Sequence, residues 1–187
     1  MARYTDKYLR NFSALYLETP AKTETPWSRS AEEILDELSV RTEDGLSEDG
    51  ATVTTIWGNG ELGVTGIGVP HGDVPTIGYR VDYGELSVAF SSDQNGSNEA
   101  FVEFIKDVDY LVIHMAGNEN STGVIANLHA KPSVWGQMAT ASNAGHVIVS
   151  HIATSDQNQL DENLSILAEN YSGPVTVALD LMCVDVR

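Results

Sequence analysis

The sequence is poor in cysteine, in basic residues and in long hydrophobic runs. Its single cysteine, Cys183, excludes an internal disulfide, and the apolar neighbours Leu181, Met182 and Val184 predict a buried thiol on a strand. No stretch approaches the roughly 18 apolar residues of a membrane span, and the first residues hold no apolar run of signal length. These absences predict a soluble, cytoplasmic protein with no membrane partner.

Basic side chains are scarce. The chain has 10 Lys and Arg against 27 Asp and Glu, which gives a formal net charge of -17. Such a surface repels phosphate backbones, so we expect no nucleic-acid partner and a small-molecule substrate instead. A high-salt habitat and an ordinary acidic cytosolic protein are both consistent with this charge.

The length of 187 residues allows one domain or slightly more. Residues 1–50 are polar and acidic and contain two weak helical patterns, the second opened by Ser30 as N-cap with Glu33 at the capping-box position. We therefore predict a helical, acidic N-terminal segment over 1–50, followed by an α/β domain over 51–187.

The second part of the chain changes from β alternation to alternating helices and strands. Short apolar runs between 53 and 90, separated by glycine-containing turns, predict an antiparallel meander. Helices are then expected over 98–106, 132–144 and 158–170, and strands over 110–115, 146–150 and 175–186, the last broken near Asp180. This order implies a layered sheet with helices on its outside.

Three separated segments each place one potential metal ligand at the carboxyl end of a β-type run. The ligands are His71 after Val69-Pro70, Asp93 after the run ending at Phe90, and His151 after the run from residue 147. In layered α/β folds, catalytic and ligand-binding residues usually lie at the carboxyl ends of the strands, along the open edge of the sheet. The pattern predicts a metal site assembled from distant parts of the chain.

Several motifs occur in the order typical of one family. Residues 71–82 read His-Gly-Asp-Val-Pro-Thr-Ile-Gly-Tyr-Arg-Val-Asp, residues 91–94 read Ser-Ser-Asp-Gln, Leu128-His129-Ala130 precedes an Ala-rich stretch, and Ser150-His151 ends a strand. Over residues 52–187 the chain resembles the second half of metallo-β-lactamase-fold hydrolases, closest to the ribonuclease Z and arylsulfatase-like branches. Ser92 and Gln94 replace the Gly and Thr usual in the Ser-Gly-Asp-Thr motif.

The first motif of that family, His-x-His-x-Asp-His, is missing, because no two of the five histidines are two residues apart. The chain is therefore either the carboxyl-terminal part of a longer hydrolase or a member that lacks the first half of its site. The resemblance implies an α/β (α+β) fold, with a half or incomplete αββα sandwich built from a mixed sheet and flanking helices. Such a half would expose apolar surface, so we expect a homodimer or a partner chain that supplies the missing half.

The resemblance also implies roles for particular residues. His71, Asp93 and His151 would be metal ligands, with Asp93 bridging two ions and serving in catalysis, and His129 would be the proton-donating residue near the leaving group. The metal would be zinc, or manganese or iron. With about two protein ligands for each ion, where three or four are usual, binding by the isolated chain would be weak or absent.

Each of these residues also has a purely structural alternative. His71 could be a turn residue after Pro70, Asp93 could cap the following helix, His151 could bond backbone at a strand end, and His129 could be a loop residue. His114 and His146 are expected to be hydrogen-bonded structural histidines, and the polar loop over 117–123 is either a substrate contact or a flexible connection.

The function implied is metal-dependent hydrolysis of an ester, lactone, sulfate ester or phosphodiester bond, with weak or no activity in the isolated chain. The alternative is a non-catalytic member that acts as a binding or assembly module.

Overall fold

The structure is a computed structural model that describes residues 52–58 and 60–186. The helical segment predicted over 1–50 lies outside the described residues. The domain predicted from residue 51 onward can therefore be followed almost throughout, and its elements are numbered here in chain order.

Seven strands form one sheet whose spatial order follows the chain from β1 to β7. The first four strands pair antiparallel, which confirms the predicted meander. The pairs from β4 to β7 are parallel, so a helical crossover lies between successive strands there. The strands are β1 Val53–Gly58, β2 Leu62–Val69, β3 Thr76–Tyr83, β4 Leu86–Phe90, β5 Tyr110–Met115, β6 His146–Ile152 and β7 Val175–Val177.

Four helices connect the later strands. Asn98 caps the first of them, because its side-chain oxygen accepts a hydrogen bond from the Ala100 amide, and Asp156 caps the last in the same way. Among the residues that the structure describes, none of the helices combines the length and apolar character that crossing a bilayer requires. The helices are α1 Glu99–Phe104, α2 Gly123–Leu128, α3 Pro132–Ala141 and α4 Gln157–Asn170.

The core lies between one face of the sheet and the helices. Alternate residues of β5 and β6 point to this face, and they pack in one buried cluster with Phe101 of α1, Trp135 of α3 and Leu167 of α4. The mixed sheet with flanking helices confirms the predicted fold class. The homodimer and the partner chain stay predictions.

Three details of the predicted elements are wrong. β7 ends at Val177, and a turn occupies the predicted break near Asp180, where Leu181 has a left-handed φ of 63° and the Met182 amide bonds the Leu179 carbonyl. No strand follows this turn up to residue 186, where the description of the chain ends. Cys183 follows that turn and is exposed, so it is not a buried strand thiol. The short helix α2 also lies in a segment predicted to be a loop, since its six residues are too few for a helical pattern to be recognised.

Candidate metal centre

The four predicted site residues lie together at one edge of the sheet. β2 and β4 are both antiparallel to β3, and β5 and β6 run parallel to β4, so the carboxyl ends of these four strands share one edge. Oδ2 of Asp93 lies 3.9 Å from Nε2 of His71 and 3.6 Å from Nε2 of His151. The ring of His129 lies 5.1 Å from that of His71, measured between centroids.

His71 is held in one orientation by its own hydrogen bond. Its Nδ1 lies 2.8 Å from the carbonyl oxygen of Leu128, which can only accept, so Nδ1 carries the proton. In the neutral ring the lone pair is then on Nε2, the nitrogen that faces Asp93. Metal-binding histidines are usually oriented in this way by a carbonyl on the other ring nitrogen.

The two neighbours of Asp93 in the chain, Ser92 and Gln94, are each hydrogen-bonded to the backbone of another segment. The preceding Ser92 has a left-handed φ of 50°, and its hydroxyl donates to the Ile77 carbonyl at 2.6 Å. The Gln94 carbonyl in turn accepts a hydrogen bond from the Ala130 amide. Asn98, and not Asp93, caps α1. The carboxylate of Asp93 therefore remains free of the capping role that was its structural alternative.

His151 lies in a β-bulge. His114 pairs with Ser150 and Met115 pairs with Ile152, so His151 is the extra residue on β6. It has a left-handed φ of 43°. Bulges of this kind redirect a side chain, and the His151 ring reaches Asp93 while remaining 58% exposed. This makes His151 the solvent-facing member of the group.

His129 ends α2 as its C-cap, with its amide bonded to the Ile125 carbonyl. Burial lowers the pKa of His129, repulsion from His71 and His151 lowers it further, and the Asp93 carboxylate partly opposes both. The ring is therefore neutral at neutral pH. Its Nδ1 is buried and has no hydrogen-bond partner among the described residues. A neutral imidazole carries a proton on one nitrogen and a lone pair on the other, so His129 could bind a metal ion, and the proton-donating role that the resemblance implies stays a prediction.

Sequence reasoning missed His114 as a member of this group. The residue is 3% exposed, its Nδ1 lies 2.8 Å from the Ser92 carbonyl oxygen, and its Nε2 has no partner within the described part of the chain. Its ring lies 5.2 Å from that of His129 and 5.0 Å from that of Trp135. Burial lowers its pKa to about 4, an effect that Asp93 opposes. His114 therefore lies against the site and is not the remote structural histidine that was expected, and the strand-end position that singled out His151 could have identified it.

His146, in contrast, has the structural role predicted for it. It begins β6 at the other end of the strand, its Nε2 lies 2.8 Å from Oγ1 of Thr176, and its ring stacks on Tyr110. The difference between His114 and His146 thus follows from which end of a parallel strand each occupies.

The polar loop over 117–123 is anchored and does not form a loose connection. The Glu119 carboxylate accepts hydrogen bonds from the amide of Ser133 at 3.1 Å and from its hydroxyl at 2.8 Å. Ser133 lies in the first turn of α3, where unpaired amides and the helix dipole favour a carboxylate. Asn118 and Ser121 bond each other within the loop.

The donor atoms of this site fit a divalent metal ion. One ligand atom each from His71, Asp93 and His129 lie within 4.8 Å of one another, and theirs is the one such group found among residues 52–58 and 60–186. Imidazole nitrogen and carboxylate oxygen are donors that zinc, iron and manganese accept. Two of the three predicted ligands belong to this group, and the third, His151, lies beside Asp93.

Solved structures with similar folds were found, whereas no protein-family model and no curated protein sequence matches the chain. The metallo-β-lactamase-fold protein YhfI from Bacillus subtilis is 20% identical, with a TM-score of 0.57 over 67% of this chain and 49% of that one. The short form of human tRNase Z is 15% identical, with a TM-score of 0.56 over 75% and 48%. Zinc-bound PqqB from Methylobacterium extorquens is 17% identical, with a TM-score of 0.52 over 71% and 53%.

These likenesses confirm the predicted metallo-β-lactamase-like α/β fold. The chain spans about half the length of each of the three proteins. At identities of 20% and below the likeness concerns the fold, so what the site does has to be argued from its own residues.

Proposed function

We propose that the chain is a metal-dependent hydrolase of the metallo-β-lactamase superfamily, or the carboxyl-terminal part of one. The bond hydrolysed would be an ester, lactone, sulfate ester or phosphodiester of a small molecule. The observation that carries the proposal is the grouping of ligand atoms from His71, Asp93 and His129 within 4.8 Å at the carboxyl edge of the sheet. They come from three separate segments of the chain.

A divalent ion would be held by His71, Asp93 and His129, with His151 close to the same oxygen of Asp93 that faces His71. Zinc, manganese and iron are all compatible with these donors. A bound zinc ion supplies Lewis acidity and lowers the pKa of water to about 7.

The chain's own residues would prepare the site in three ways. The Leu128 carbonyl holds His71 with Nε2 toward Asp93, so one ligand is oriented in advance. His129 is neutral at neutral pH, because burial lowers its pKa, and so needs to lose no proton before it binds a cation. The exposed ring of His151 marks the open side of the group, where a small substrate would approach.

We expect weak or no activity from the chain alone. Three or four protein ligands suffice for one ion but not for two, and the part of the chain that the structure describes contains a single group of this kind. The same observation favours the second candidate, a non-catalytic member that binds a ligand or a partner through the retained scaffold.

The metal content of the purified protein tests the proposal. Elemental mass spectrometry is applied to the wild type, to the double variant Asp93→Ala with His151→Ala, and to the control variant Asp161→Ala with His146→Ala. The control removes the same residue types outside the site, since Asp161 lies on the exposed surface of α4 and His146 at the far end of β6. We expect zinc, manganese or iron in the wild type and in the control, and its loss in the double variant.

Two further results would decide between the candidates. An absence of metal from all three proteins, even after incubation with zinc, would overturn the proposal. If metal is bound, we measure turnover of nitrophenyl esters and of bis-nitrophenyl phosphate. Turnover at any rate supports the hydrolase, provided that the double variant has lost it. No turnover with the metal in place favours the binding module.

A further inference from the structure

Three buried nitrogen atoms on neighbouring rings have no hydrogen-bond partner among the described residues. They are Nε2 of His114, Nδ1 of His129 and Nε1 of Trp135. The ring centroids of His114 and His129 are 5.2 Å apart, with the planes at 64°, and those of His114 and Trp135 are 5.0 Å apart at 90°. Buried polar atoms in native proteins nearly always find a partner, so each of these atoms calls for one.

The protonation of His114 follows from its other nitrogen. Its Nδ1 lies 2.8 Å from the carbonyl oxygen of Ser92, which can only accept a hydrogen bond. Nδ1 therefore carries the proton of the neutral ring. Nε2 is left as a bare acceptor in a site from which water is largely excluded.

We propose that His129 donates a hydrogen bond from its Nδ1 to Nε2 of His114. The distance suits it, because an N–H···N bond of about 3 Å separates imidazole centroids by roughly 5 Å. A small rotation of either ring would align the donor with the lone pair. The two histidine nitrogens then satisfy each other, and Nε1 of Trp135, which can only donate, is the competing donor for Nε2 of His114.

In this arrangement His114 is a positioning residue for His129. The bond fixes the proton of His129 on Nδ1 and leaves the lone pair on Nε2. Two histidines of the group would then be oriented alike, His71 by the Leu128 carbonyl and His129 by His114, itself held by the Ser92 carbonyl. His129 would offer Nε2 as a ligand or proton acceptor and not as a proton donor. The ring of Trp135 packs perpendicular to that of His114 at 5.0 Å.

The tautomers can be read directly by nuclear magnetic resonance. The full chain is labelled with ¹⁵N-histidine, freed of metal with a chelator and studied at neutral pH. Nitrogen shifts and two-bond couplings identify the protonated nitrogen of each ring. We expect protons on Nδ1 of both His114 and His129, and a scalar coupling between Nδ1 of His129 and Nε2 of His114. A proton on Nε2 of His129 in the wild type would overturn the proposal.

Two substitutions separate positioning from packing. His114→Gln keeps an acceptor oxygen near the same place, whereas His114→Leu fills the space without one. We expect His129 to stay in the Nδ1–H form with Gln and to become a mixture of tautomers with Leu. His146→Leu, which removes a histidine bonded to Thr176, is the control and should leave His129 unchanged. An unchanged tautomer with Leu would contradict the proposal, and if that variant does not fold, the coupling in the wild type decides.

The hydrogen bond belongs to the metal-free chain, but its value for metal binding rests on the proposed function. Zinc is therefore titrated into the wild type, His114→Leu and Asp93→Asn. We expect at least a tenfold loss of affinity with His114→Leu. Wild-type affinity in that variant would overturn the positioning role, even where Asp93→Asn abolishes binding. No zinc binding by a wild type that shows the coupling would overturn the proposed function alone.

Discussion

The carboxylate of Asp93 lies 3.6 Å from Nε2 of His151, and both residues depend on a left-handed backbone. His151 has a φ of 43° itself, and Ser92, immediately before Asp93, has a φ of 50°. Such conformations are costly for residues other than glycine and cluster at functional sites, where the surrounding structure maintains them. The grouping of these side chains is thus built into the backbone at both strand ends.

Zinc should stabilise the fold if this group binds it. A ligand that binds only the folded state at one hundred times its dissociation constant adds about 2.7 kcal/mol to the free energy of unfolding. Thermal unfolding with and without zinc measures this gain. We expect it to vanish in Asp93→Asn and to persist in Asp161→Asn, and an equal gain in both variants would place the bound zinc elsewhere.

The buried imidazole of His114 should make stability depend on pH. Burial lowers its pKa in the folded state to about 4, whereas in the unfolded chain the pKa is near 6.5. The unfolded state therefore binds more protons between these values, so the contribution of His114 is fully present above about pH 6.5 and is lost as the pH falls toward 4.

Comparison with His114→Gln isolates this contribution from that of the carboxylates. Chelator-treated wild type and variant are unfolded in urea across this pH range. The wild type should lose up to about 1.4 kcal/mol per pH unit more than the variant, the slope for one proton. Parallel curves would show that His114 does not become charged on unfolding.

Gly136 is needed where α3 crosses α4. A Cβ placed there would lie 2.6 Å from the Leu167 carbonyl oxygen and 2.6 Å from Cβ of Asn170. Alanine normally stabilises a helix interior by roughly 0.5–1 kcal/mol relative to glycine, but overpacking costs typically 1–3 kcal/mol. The Leu167 carbonyl oxygen belongs to the backbone and cannot move aside as a flexible side chain can. We therefore expect Gly136→Ala to lower the free energy of unfolding. Gly63→Ala, where nothing lies within 4 Å, is the control, and an equal or higher stability for Gly136→Ala would show that the helices can separate.

Glu119, which lies in the loop before α2, should stabilise the first turn of α3. Its carboxylate accepts from both the amide and the hydroxyl of Ser133. Removal of a capping side chain costs about 0.5–2 kcal/mol, so Glu119→Ala should lower the midpoint of urea unfolding without changing the slope. The control is Glu103→Ala, because Glu103 is 76% exposed and only pairs with Lys106 on the surface. A larger effect from Glu103 would contradict the capping role.

The two histidines near the carboxyl ends of β5 and β6 differ in how much the sequence alone reveals of them. The sequence showed that His151 ends an apolar run and resembles a family ligand, and that prediction needed no knowledge of distances. His114 carried no motif and was taken for a structural residue. The parallel pairing of β5 with β6, and the bulge that inserts His151, bring the rings of His114 and His151 to 6.5 Å. His129, at the end of α2, lies 5.2 Å from His114, a contact that no local pattern indicates.

By itself the sequence determined the alternation of strands and helices and which segments end in His or Asp. These are local properties, set by side-chain periodicity and by hydrogen bonds between near neighbours. The tertiary structure decided which ring nitrogens face Asp93, which are buried without partners, and that burial lowers the pKa of His114 and of His129. Distances across strands and the desolvation of a ring depend on register and packing, and residues far apart in the chain set both.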